Sequence, residues 1–142
     1  MSQVKQAITI HFRRVLKNID KLSAVCQIAQ EQFLRKERLL ITVPDETTEK
    51  YIDELLWRLP TDSFLPHFVR TSECEESIVI TRWPKNLNHA GVLLNLCPNP
   101  TPIALQFLHI YELFDETHPS KKAISQKKWD IYSQAGYHVR EN

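Results

Sequence analysis

Arg38-Leu-Leu-Ile-Thr-Val43 runs straight into Pro44-Asp45 and then into Glu46-Thr-Thr-Glu-Lys-Tyr-Ile-Asp-Glu-Leu-Leu-Trp-Arg58. A strand wet on one face would alternate apolar and polar residues. A near-continuous apolar run is what a strand covered on both faces requires. Pro44 and Asp45 suit the entry to a helix, and Glu46 and Glu49 sit in or near its first turn, where the dipole favours acid. In that helix Thr48, Tyr51, Ile52, Leu55 and Leu56 share one face at the spacing of a buried stripe. A doubly covered strand that feeds an amphipathic helix is the unit of an α/β protein.

The same alternation extends in both directions. Upstream, Ala7–Phe12 is β-rich and reads as a first strand, entered directly from Met1–Gln6 with no signal-peptide apolar region. Asn18 or Asp20 offers a helix cap, and Leu22, Val25, Cys26, Ala29 and Phe33 form a helical stripe that ends near Arg35. Downstream, Ser77–Trp83 and Gly91–Cys97 are two further apolar strands joined by the polar segment Pro84–Ala90. Pro98-Asn-Pro-Thr-Pro102 breaks the chain before a short helix near Ile103–Phe107 and an extended His109–Phe114. A last helix over Ser120–Gln134 stops at Gly136, before a short strand at Tyr137–Val139. The expected fold is a single Rossmann-like α/β domain spanning residues 1–142, with a mostly parallel sheet and helices on both faces. The strand order is left open.

The helix that follows the central strand leads into the segment around which the chain is organised, Asp53–His67. Pro60 is expected to stop the helix, and Phe64 then lies in a loop between Pro60 and Pro66. Trp57 does not belong to the buried stripe. At 3.6 residues per turn it points almost opposite, above Lys50 and Asp53. A large aromatic on a polar face followed by a loop aromatic is a candidate docking surface. The competing reading ends the helix before Trp57 and folds the ring back onto the core.

Composition narrows the function. The 142 residues are 42% hydrophobic and 25% charged, with formal net charge +1. Such a balance argues against coating nucleic acid by charge alone. No apolar run is long enough to span a bilayer. Cys26, Cys74 and Cys97 are odd in number and far apart, which reads as reduced thiols in a cytoplasmic protein. With two glycines, Gly91 and Gly136, neither common phosphate-cradling pattern is present. The six histidines are scattered without metal-ligand spacing, and the acidic run Glu73–Glu76 reads as a solvated loop. No cofactor or metal is expected.

The C-terminal helix carries the other candidate site. Ile124, Ile131 and Ala135 share a face and are expected to form its core stripe, with Tyr132 at the edge. Trp129 falls off that stripe, near Ser125 and Gln126 and one turn from Lys122. Lys121, Lys122, Lys127 and Lys128 make the helix basic, and a Trp among lysines suits a short peptide that is both apolar and acidic. The simpler reading is a solvated lysine-rich helix whose Trp covers the edge of the core, with the Lys128 stem lying along apolar surface.

Three segments together resemble the chi subunit family of bacterial DNA polymerase III, an accessory protein of the clamp loader. They are Leu56-Trp-x-x-Pro-x-x-Ser-Phe-x-Pro-His67, then Ile80–Pro84 with Gly91–Leu96, and then Gln126–Val139 ending in Tyr132-x-x-Ala-Gly-Tyr137. The resemblance implies a Rossmann-like domain without catalytic activity of its own. It implies one surface for a psi-like clamp-loader subunit, with Trp57 and Phe64 at family positions and Pro66 adjacent. It implies a second surface for the acidic C-terminal tail of single-stranded DNA-binding protein, with Trp129 as the aromatic and Lys122 as a basic residue. DNA would then be reached mainly indirectly. Gln126 departs from the family, which carries an arginine there, and a glutamine cannot supply the charged planar fork that arginine offers a carboxylate. Lys122 or Lys127 would have to compensate. Two alternatives stand beside this reading. One is a nucleotide- or small-molecule-binding enzyme that uses a polar pocket at the carboxyl edge of the strands. The other is an adaptor for a different DNA-repair partner, such as a helicase, docked at Trp57.

Overall fold

The computed structural model describes residues 2–58 and 64–142 of the 142-residue chain. In chain order the elements are α1 (Ser2–Gln6), β1 (Thr9–Val15), α2 (Asn18–Leu34), β2 (Leu39–Thr42), α3 (Glu46–Arg58) and β3 (Phe68–Val69). They continue with β4 (Ile78–Thr81), β5 (Val92–Asn95), a 3-10 turn at Ala104–Gln106, β6 (His109–Asp115), α4 (Pro119–Gln134) and β7 (His138–Glu141). The strands form one seven-stranded sheet in the order β3-β4-β2-β5-β6-β1-β7, and every pairing is parallel. The expected α/β class is therefore found, with a sheet that is wholly rather than mostly parallel. Two elements went unread in the sequence: α1, in a segment taken to open directly into a strand, and the two-residue β3. Pro60, the expected stop of α3, lies outside the described residues; α3 itself continues to Arg58.

The central strands explain the layering. β2, β4 and β5 are each buried at all four positions. Successive side chains alternate in direction, so each strand feeds two cores. Leu39 and Ile41 join Ile78, Ile80 and Leu94 under α2 and α3, which contribute Val25, Ile28, Ile52 and Leu55. Leu40, Val79 and Leu93 point the other way, toward Ile10, Phe12, Phe107 and Tyr132 of α4. Helices thus cover both faces.

The helix ends follow local chemistry. Asp45 caps α3 by accepting the Thr48 amide at 2.8 Å, and His118 caps α4 by accepting the Ser120 amide at 3.1 Å. α2 ends with Lys36 at φ 59°, its amide on Phe33 O and the Glu37 amide on Gln32 O. α4 ends in the same double bond pattern, with Gly136 at φ 97°. The stop expected at Gly136 is present, and the same device closes α2 without a glycine.

Beside α2, on the sheet face of β1, His11 stacks on Tyr111 with centroids 4.8 Å apart, and its Nε2 meets His109 Nδ1 at 3.0 Å. Burial, reinforced by His109, Arg140, His138 and Arg13, pushes the His11 pKa down to about 4. An unfolded histidine titrates near ~6.5, so between those values the unfolded chain binds the extra proton. Stability should therefore fall as pH drops from neutral toward 4. We predict that His11→Phe reduces that loss by about 2 kcal/mol, allowing for partial solvent screening. Urea unfolding of both proteins at neutral pH and near the low end checks it; equal acid losses would contradict it.

Candidate docking surfaces

The first candidate surface is at the end of α3. Ile52, Leu55 and Leu56 are buried as expected, but Tyr51 turns outward. Trp57 lies in the last turn and is 52% exposed, and Phe64 is 72% exposed. The two rings stand 5.7 Å apart, so Trp57 extends the helix face rather than folding into the core. The loop residue that holds them is His67. It is buried, its ring lies 4.2 Å from the Trp57 ring, and its Nδ1 and Nε2 stand 2.8 Å from Leu65 O and 3.0 Å from Asp53 O, two acceptors of which a neutral ring donates to one. His67 therefore ties the loop to α3 and supports the indole from beneath. Leu65 is buried and Pro66 half-buried, which anchors the segment on either side.

The second candidate surface, on α4, differs from the expected one. Ile124 and Ile131 are 43% and 42% exposed, and Ala135 is exposed too. The buried line is Ser125, Lys128 and Tyr132, with Trp129 packed beside it. The helix turns this way because its buried polar groups are satisfied there. Glu112 of β6 is fully enclosed and receives Tyr132 Oη at 2.7 Å and Asn95 Nδ2 at 2.8 Å. Lys128 forms an ion pair with Glu112 and donates to Cys97 O at 2.8 Å. Burial raises the Glu112 pKa against the pull of Lys128, and burial together with Glu112 also holds the Tyr132 phenol protonated. Tyr132 Oη also accepts the Thr101 amide at 2.9 Å.

Trp129 is half-buried, its ring 5.0 Å from Phe12 and 6.4 Å from Phe114. Lys122, Gln126 and Trp129 follow the i, i+4, i+7 spacing and share a side of α4. Lys127 stands roughly 200° around the helix from Trp129 and does not join them. Lys122 reaches Glu116 at 3.3 Å, and Gln126 bonds Asp130 at 3.0 Å. A cation the sequence reading overlooked lies next to this group. Arg14 sits over Phe114 at 5.4 Å and bonds Glu116 at 2.9 Å and Glu141 at 3.2 Å. The available signal was period two along β1, which puts Arg14 on the same face as Phe12.

Between these surfaces, at the carboxyl edge of β5 and β6, a crevice of about 440 Å³ opens among the amino-terminal parts of α2, α3 and α4. Among the described residues no group of three His, Cys, Asp or Glu side chains could hold a metal, and no helix is long and apolar enough to cross a membrane. Cys26, Cys74 and Cys97 are free thiols.

The family described as "DNA polymerase III chi subunit, HolC" matches residues 8–140. A DNA polymerase III subunit chi from Escherichia coli K12 is 27% identical over 128 residues, covering 85% of this chain and 86% of that protein. The protein of the same name from Pseudomonas aeruginosa is 21% identical over 122 residues, covering 86% of this chain and 85% of its own.

Proposed function

The chain belongs to the DNA polymerase III chi subunit family, and on that premise we propose that it is a non-enzymatic adaptor of the clamp-loader complex. Its 142 residues act as one chi-like domain in the cytoplasm. It joins the polymerase assembly through a psi-like subunit at Trp57, Phe64 and Pro66. It holds the acidic tail of single-stranded DNA-binding protein at the α4 surface, and reaches DNA mainly through that protein. The observation that carries this reading is the exposed Trp57–Phe64 pair, supported from below by His67. Two large rings exposed by half or more, one of them resting on a buried residue, offer apolar area at the surface, and aromatic anchors of this kind dominate interfaces.

The tail reading rests on the aligned Lys122, Gln126 and Trp129. Lys122 supplies charge and Trp129 apolar area, while Lys127 contributes only to the general positive field of the helix. Gln126 bonds acceptors without charge, so the contact is weaker than an arginine fork, and the salt sensitivity that remains comes from Lys122. Weak contacts suffice in a tether, because linkage raises effective concentration. The test is a fluorescence-anisotropy titration of an acidic peptide that ends in an apolar residue with a free carboxylate. We predict saturation at low salt, loss of roughly tenfold in affinity on Trp129→Ala, and further weakening as salt rises. Absence of saturable binding would contradict the tail assignment.

A further inference from the structure

The crevice at the carboxyl edge of the sheet belongs to neither docking surface. Neither Trp57, Phe64 nor Trp129 lines it. Its walls are apolar, built from Leu22, Val25, Ile52, Leu96, Leu113 and Ile124, with Tyr51 at α3. This accounts for two side chains that the helical patterns assign to the core and the fold leaves exposed: Tyr51 and Ile124 both face this space. At about 440 Å³ it falls within the range of small-molecule sites.

The charged groups are unevenly distributed. Lys21, Lys121 and Lys128 line the crevice, against one lining carboxylate, Asp115. Asp115 is already engaged, with Lys21 at 2.6 Å and the Thr117 hydroxyl at 2.6 Å. Lys121 forms no ion pair among the described residues. Lys128 is the unusual member: its side chain is more than nine-tenths buried, yet it lines the crevice. An ammonium has three N–H groups. Glu112 and Cys97 O take two, and the third is claimed by no described residue.

We propose that this crevice binds a small amphipathic anion, an aromatic or branched apolar body carrying one acidic group, with Lys121 at the rim and Lys128 on the floor facing the acid. The apolar walls take the body, and Lys121, the one lining cation without a carboxylate partner among the described residues, selects the charge with the spare N–H of Lys128. Nothing in the pattern calls for a polyphosphate, which would need more cations and glycine-bearing turns. The site works independently of the adaptor surfaces, so its test is separate from theirs.

The probe is anilinonaphthalenesulfonate, an aromatic body with one sulfonate, followed by amide NMR on the full chain. We expect saturable shifts at Leu22, Ile52, Leu96 and Ser125. Ile124→Trp places a large ring at the mouth from an exposed position, so the fold should tolerate it, and we expect it to weaken binding at least tenfold. Lys121→Glu should weaken it severalfold, and Trp57→Ala should leave it unchanged. The proposal is overturned if no saturable shifts occur, if they gather at Trp57 and Phe64 or at Trp129, or if Ile124→Trp binds the probe as the parent does.

Discussion

Lys128→Met should cost about 3–5 kcal/mol of folding stability at neutral pH, more than a surface lysine could account for. The wild-type ammonium, at the crevice floor, faces Glu112, whose carboxylate is fully buried. Removing it leaves Glu112 with only the neutral donors of Tyr132 and Asn95. Because burial already raises the Glu112 pKa, the variant should partly recover as pH falls toward that of an unfolded carboxylate. The folded state then takes up the proton more readily than the unfolded one. Glu112→Gln combined with Lys128→Met should restore most of the loss, since an amide oxygen still accepts from both neighbours and no charge is left unpaired. Urea denaturation of the single and double variants at neutral and mildly acidic pH measures all three effects. A single variant within 1 kcal/mol of the parent, on the ~1 kcal/mol scale of surface changes, would mean that the ion pair is not enclosed as described.

Trp57→Ala should weaken capture of a psi-like subunit by about 3 kcal/mol, or roughly a hundredfold, without lowering monomer stability by more than about 1 kcal/mol. The asymmetry comes from the geometry. The indole is half in water and rests on His67 and Phe64, while Leu55 and Leu56 of the same helix hold the core. Truncation therefore removes interface area rather than interior packing. Surface capture with the immobilised partner gives the first quantity and chemical denaturation the second. Equal losses in both would return Trp57 to the core reading.

These two sites mark the limits of what the chain's pattern discloses. Leu39–Thr42 was legible because a strand covered on both faces has no polar period to hide it. Trp57 was legible because it broke a clean stripe on α3. The α4 face was misread for a physical reason. Periodicity ranks Ile124 and Ile131 above Lys128 and Tyr132, and it cannot see Glu112, sixteen residues before Lys128, waiting on β6. A buried carboxylate with three partners from other elements outweighs two isoleucines, and those turn toward solvent and the crevice. Trp129, placed off the stripe by the same argument, is consequently half-buried on Phe12 and Phe114. His67 and Arg14 were illegible as site residues because their contacts span fourteen residues to Asp53 and over a hundred to Glu116 and Glu141. The two-residue β3 is too short to carry a pattern at all.

The adaptor account is tested most directly by asking whether one molecule bridges both partners at once. A psi subunit is immobilised, this protein is passed over it, and single-stranded DNA-binding protein follows. The account predicts stepwise accumulation of both, with Trp57→Ala abolishing the first step. Trp129→Ala should leave the first step intact and diminish the second. Bridging by both variants at the level of the parent protein, or no second step with the parent itself, would contradict it.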